Sequence, residues 1–176
     1  MKALLVIDVQ NAIIEYKDFS EELARMEQII QDFKGNNTPV IFIRHVETAE
    51  DSPFNKNKAS SELHHALKDY ADFVIEKQTQ SSFYQTSLAD TLENLGVDHL
   101  FITGFNTEFC CMFTAIAAFD RGYNVTFIED ATGTTNDEET YEMKGLDIRD
   151  FVGTVLHWSE VIEVLDHEEY VEKYGN

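Results

Sequence analysis

The chain reads as an α/β protein, a three-layer α/β/α sandwich around a six-stranded, mostly parallel, Rossmann-like sheet. Two observations predict it. Short apolar runs with little polar alternation, the pattern of strands buried on both faces, recur along the sequence. Segments of helical spacing separate them, and strands that alternate with helices build parallel sheets covered on both sides. The length of 176 residues suits one domain over 1–176, and 43% hydrophobic with 12% aromatic residues is ample for a core.

Ala3–Val9 is the first strand, too short for a helix and continuously apolar up to Asp8. Glu21–Lys34 is a helix: Leu23, Met26, Ile29, Ile30 and Phe33 recur three or four apart, Ser20 is its N-cap, and Gly35-Asn36-Asn37 breaks it. Pro39 precedes the second strand, Val40–His45, at a point where its missing N–H does least harm. Polar Glu47–Lys58 is the longest irregular connection, a rim loop or lid. A short helix follows over Ser60–Tyr70, a strand over Phe73–Glu76, and a helix over Thr86–Leu95 that Gly96 stops. His99–Thr103 is the fourth strand and Thr107–Arg121 a helix ended by Gly122. This helix is apolar nearly all round, so its outer face needs cover from the fold or from a second subunit. Asn124–Glu129 is the fifth strand, Asp137–Asp150 a helix, Gly153–Leu156 the sixth strand and Ser159–Leu165 the last helix.

The charge narrows the partners. With 33 acidic against 13 basic residues the formal net charge is −20, which disfavours nucleic acid and anionic membrane and suits a solvated acidic surface. No run approaches the roughly 20 apolar residues of a membrane span, and the N-terminal run is too short, and lacks the cleavage site, for a signal peptide. The two cysteines, Cys110 and Cys111, are adjacent and diverge on a helix, so an intrachain disulfide is disfavoured and a reducing, cytoplasmic compartment is expected.

Cys110 falls in the first turn of a helix that follows a strand, where free backbone N–H groups and the positive end of the helix favour thiolate. Asp8 ends the first strand and Lys77 follows the third. In a parallel sheet such ends gather at one edge, where sites form. Each residue alone has a dull reading: a packed thiol, a turn-forming Asp, a solvated Lys. Their joint position points to a nucleophile with a proton acceptor and a cation beside it.

These residues sit in longer motifs. Leu5-Val6-Ile7-Asp8-Val9-Gln10, then Glu76-Lys77 with Ser82-Phe83-Tyr84-Gln85-Thr86-Ser87-Leu88, then Ile102-Thr103-Gly104-Phe105-Asn106-Thr107-Glu108-Phe109-Cys110, then Gly122-Tyr123-Asn124-Val125 and Glu129-Asp130-Ala131-Thr132 follow in order. In this the chain resembles the isochorismatase-like cysteine hydrolases: nicotinamidases, N-carbamoylsarcosine amidases and isochorismatases. The resemblance runs from Leu4 to about Leu165. It implies a catalytic triad of Asp8, Lys77 and Cys110, and a cis peptide bond between Phe105 and Asn106. It also implies an oxyanion hole from the N–H groups of Asn106 and Cys110, and a homodimer or homotetramer. The substrate it implies is a small molecule; Tyr16, Phe19, Phe83, Phe109 and the Glu47–Lys58 loop are the candidates for its specificity, with Gln10 a further substrate-binding candidate.

One departure matters. Nicotinamidases carry an Asp-x-His metal motif after the second strand, whereas this chain reads Ile43-Arg44-His45-Val46-Glu47, and adjacent His64 and His65 suit a solvated helix face better than a ligand pair. The expectation is a hydrolase without metal or other cofactor, cleaving a small amide or related C–N bond through a Cys110 thioester. A vinyl-ether hydrolase and a non-catalytic metabolite-binding member are the alternatives.

Overall fold

The computed structural model describes residues 1–175. Its strands are β1 (Lys2–Ile7), β2 (Val40–His45), β3 (Phe73–Lys77), β4 (His99–Phe105), β5 (Asn124–Gly133) and β6 (Glu163–Leu165). They form one sheet in the order β3-β2-β1-β4-β5-β6, with every neighbouring pair parallel. The helices are α1 (Asn11–Ile14), α2 (Ser20–Gly35), α3 (Leu88–Asn94), α4 (Met112–Phe119), α5 (Ile148–Trp158) and α6 (His167–Tyr174).

Period-two geometry divides the apolar strands between two cores. Ala3, Leu5 and Ile7 of β1 point to one side, where Ile41, Ile43, Leu100 and Ile102 join side chains from α3, α4 and α5. Leu4 and Val6 point to the other, against Phe42, Phe101 and the α1, α2 and α6 residues Ile13, Met26, Ile29, Ile30, Phe33 and Tyr170. The three-layer sandwich follows from that alternation on strands that are apolar on both faces.

The sequence expectations hold best up to β5 and fail in the last third. The segment expected as the helix Asp137–Asp150 is mostly turns. Asp137 accepts bonds from the Thr140 backbone and hydroxyl, and Gly145 adopts φ +81°, so the chain closes on itself locally. The helix starts later, where the Asp147 side chain accepts from Asp150 N, and runs through Gly153–Leu156, which had read as a strand. Gly153 is there for space rather than for a turn: a Cβ would stand 1.8 Å from the Glu129 carboxylate. The sixth strand is Glu163–Leu165, inside the expected helix Ser159–Leu165, pairing with Thr126–Ile128 of β5. α6 was not expected, although Asp166 and Glu169 form a capping box readable as D-x-x-E. Ser60–Tyr70 holds only two short 3₁₀ turns, and Ser20 lies inside α2, its N–H bonded to Asp18 rather than capping with its own hydroxyl. No helix among the described residues is long and apolar enough to cross a membrane.

Candidate active site

β1 and β4 lie side by side, but their outgoing connections run to opposite sides, so a crevice opens at their C-terminal ends. Asp8 follows β1 directly and adopts φ 52°, an uncommon left-handed conformation for a residue with a Cβ. Its N–H bonds back to Ile43 O at 3.0 Å and its C=O accepts from Gln10 N at 2.8 Å, which turns the side chain away from the strand ladder. Opposite, Gly104 of β4 pairs with Ile7 at φ +116°, and a Cβ there would lie 2.1 Å from Ile7 O. Only glycine lets the two backbones come this close.

After β4 the chain crosses a cis peptide bond between Phe105 and Asn106 and enters a wide turn, Thr107–Cys111, in which Cys111 N donates to Asn106 O. α4 starts only at Met112, so Cys110 stands in this turn rather than in the first turn of a regular α-helix. Lys77, the last residue of β3, completes the cluster. Its Nζ donates to Asp8 Oδ2 at 2.7 Å and to Cys110 Sγ at 3.1 Å. Both side chains of the ion pair are withdrawn from solvent, Lys77 at 0% and Asp8 at 2% exposure, and Asp8 Oδ1 is buried without a hydrogen-bond partner.

The electrostatics differ from the sequence expectation. Burial pushes the Cys110 thiol up to about 12; the Asp8 charge adds to the shift and Lys77 opposes it. The thiol therefore rests neutral instead of being ionised by a helix terminus. Cys111, fully buried, is shifted upward as well, again first by desolvation. Burial works against the Lys77 ammonium, yet the Asp8 carboxylate beside it holds its pKa above the usual value.

The turn carrying Cys110 is fastened to the segment after β5. Asn106 Nδ2 donates to Thr135 Oγ1, Thr135 N donates to Asn106 Oδ1, and Thr107 Oγ1 donates to Thr132 Oγ1. Glu108 Oε1 accepts from Thr134 Oγ1, Asn136 Nδ2 and Tyr141 OH, at 2.8, 2.7 and 3.0 Å. Sequence reasoning missed Glu108. Its partners lie 26 to 33 residues downstream, and no local pattern in the sequence marks it.

The side chains expected around a substrate fare unevenly. Gln10 is fully buried and spends its amide on the chain itself, accepting from His45 N and donating to His45 O and Ser61 O. It props the end of β2 and has no free group for a ligand, which corrects the expectation. Phe83 is likewise a core residue, stacked on Tyr123 beneath the Arg121 guanidinium. Phe19 is buried edge-on against Phe105, Tyr16 stands on the surface, and Phe109 is half-exposed one residue from Cys110. The Glu47–Lys58 loop is folded on itself: Glu47 N donates to Phe54 O, Lys56 N to Glu47 O, and the Asn55 amide to Thr48 O and Ala49 O.

Metal-binding members of the fold raise the question of a metal here, and the donor set does not fit one. Among the described residues no three His, Cys, Asp or Glu side chains gather to hold an ion. His45 turns Nδ1 to Lys77 and Nε2 to Glu47. His64 and His65 are not on a helix as expected; their rings lie 4.2 Å apart, with no third ligand.

The isochorismatase domain model matches residues 2–160. The chain belongs to the isochorismatase family. Within that family it is 31% identical over 151 residues to nicotinamidase 3 of Arabidopsis thaliana, covering 77% of this chain and 75% of that protein. It is also 31% identical, over 188 residues, to an Arabidopsis thaliana protein described as a probable inactive nicotinamidase, covering 90% and 94%. A crystal structure of a candidate isochorismatase from Burkholderia xenovorans LB400 superposes with a TM-score of 0.84 at 29% identity, over 97% of this chain and 86% of that one. The family is hydrolytic and includes amide-cleaving members by name.

Proposed function

We propose that this isochorismatase-family protein is a cysteine hydrolase of a small amide or related carbonyl C–N bond, working through a thioester on Cys110. The observation that carries the reading is the buried Lys77 ammonium bonded at once to Asp8 and to Cys110 Sγ. A shielded Lys–Asp pair touching a thiol is costly to maintain as packing alone, whereas it suits a nucleophile that needs a nearby base.

The chemistry runs in two stages. Asp8 takes the Cys110 proton as sulfur bonds to the substrate carbonyl carbon, and Lys77 offsets the negative charge on sulfur and carboxylate. The N–H groups of Asn106 and Cys110 receive the oxyanion. Asp8 returns the proton to the departing nitrogen as the C–N bond breaks. Water then adds to the thioester with Asp8 as base, the C–S bond breaks, and the thiol recovers its proton. We also propose that the protein works as a homo-oligomer, because the outer face of α4 is apolar and uncovered within the chain: Phe113, Ile116 and Phe119 are all exposed.

Ammonia release across a panel of small primary amides and ureides tests the reaction, with Cys110→Ala as the control. The expected result is turnover of at least one compound that falls by about 10³-fold or more in the variant. Silence across the panel, or release equal in the two proteins, would overturn the amide reading. Cleavage of an enol ether that survives Cys110→Ala would turn it toward the ether-hydrolase alternative, in which Asp8 alone serves as acid.

A further inference from the structure

An ammonium has three N–H donors and no acceptor. Two of those on Lys77 go to Asp8 and Cys110; the third direction holds His45, whose Nδ1 lies 3.4 Å from Nζ. Lys77 can only donate, so Nδ1 must carry a lone pair and the ring proton must sit on Nε2. There it meets Glu47 Oε1 at 3.2 Å, as donor to a carboxylate. The Glu47 carboxyl is held below its usual range by Ser52 and then by His45, so it stays an acceptor.

The residue is held on other sides as well. His45 pairs with Lys77 in the β2–β3 register, and Gln10 grips its backbone N–H and C=O, each at 2.8 Å. The Phe54 ring meets it edge-on at 5.3 Å. A ring pinned by backbone, aromatic and carboxylate, with its one lone pair toward the ammonium, is oriented for that contact.

We propose that His45, oriented by Glu47, is a positioning residue for Lys77: it accepts a hydrogen bond from the third ammonium N–H and so fixes the direction of the two that face Asp8 and Cys110. This rests on the catalytic reading of Lys77 given above. His45 touches none of the reacting atoms in this scheme. It removes the rotational freedom by which Lys77 would otherwise trade its bond to sulfur for another partner, and it ties that geometry to the folded Glu47–Lys58 loop.

Long-range ¹H–¹⁵N correlation of the imidazoles in the full-length protein tests the proposal without needing turnover, the His45 signals being identified by their loss in His45→Asn. The expected spectrum at pH 7.5 has His45 with a bare Nδ1 and a protonated Nε2, and Lys77→Met shifts the Nδ1 resonance. A proton on Nδ1, or an Nδ1 signal indifferent to Lys77→Met, would overturn it. If Lys77→Met does not fold, the wild-type tautomer and two His45 variants decide. With any amide the protein turns over, His45→Leu should lower kcat by about 10- to 100-fold, the worth of a hydrogen bond to a charged group, and move KM less. His45→Asn, whose Oδ1 can stand where Nδ1 stands, should recover most of that loss. Equal losses in both variants would make His45 a packing residue. A protein silent toward every amide would fail the hydrolase reading while the spectrum still reported on His45.

Discussion

At Cys110 two opposite charges act on a thiol already taken out of water: Asp8 resists ionisation, Lys77 favours it, and burial tips the sum toward the neutral form. In the proposed mechanism, attack on a carbonyl is then coupled to transfer of the proton to Asp8, with its unpartnered Oδ1 as the open acceptor. Iodoacetamide labelling of Cys110, followed by peptide mapping across pH 6–10, should climb through the whole range without levelling off. At a fixed pH in that range Asp8→Asn, which removes the anion, should speed labelling, and Lys77→Met should slow it. A plateau below pH 8 in the wild type would show a thiolate at rest and refute this picture. Lys77→Met should also cost about 3–5 kcal/mol in denaturant unfolding, since it strands the Asp8 carboxylate in a dry site. Asp8, Lys77 and Cys110 stood out in the sequence as candidates because Asp8 and Lys77 follow apolar runs and Cys110 lies where a strand-like run passes into a helix-like one, signals local to the chain. His45 and Glu108 could not. Their roles come from partners on other strands and loops, and a lone His or Glu carries no trace of which atom it will meet.

Elements show the same division between local and distant information. β1, β2 and β4 were legible because strands buried on both faces are written as unbroken apolar runs; the edge strand β3 and the longer β5 were legible from shorter apolar runs. The stretch after β5 was not, because Gly153 looks like a strand or turn residue until the Glu129 carboxylate that occupies its side-chain space is seen. β6 is only three residues long, and its pairing with β5 overrides a weak helical pattern. Gly104 offers a direct test of how the β1–β4 approach supports the site. Gly104→Ala should cost about 2–5 kcal/mol, from left-handed strain together with a clash against Ile7 O. Gly96→Ala, which shares the positive φ but meets nothing within 4 Å, should cost only about 1 kcal/mol. Equal urea midpoints for the two variants would mean that the close approach relaxes at little cost.

For the molecule as a whole, α4 and α5 cover the same side of the sheet and each turns an apolar stripe outward: Phe113, Ile116 and Phe119 on one, Phe151, Val155 and Trp158 on the other. Burying these against a second copy, as proposed, would offset the self-repulsion of a chain with net charge −20, so association should tighten as salt screens that charge. Sedimentation at micromolar concentration should give a dimer or larger species, weakened by Val155→Asp. A 20.2 kDa particle at every salt concentration would refute it. The sheet order carries a different consequence, for synthesis. β1 is made before its neighbours in the sheet, and β2 soon covers one of its edges, but the other edge pairs with β4, which is translated about a hundred residues later. Throughout that interval the nascent chain holds an apolar strand with a row of open backbone donors and acceptors, competent to pair with its counterpart on a neighbouring ribosome. Crowding of growing chains should therefore favour mispairing at this edge, and the net charge of −20 opposes it by repulsion between chains.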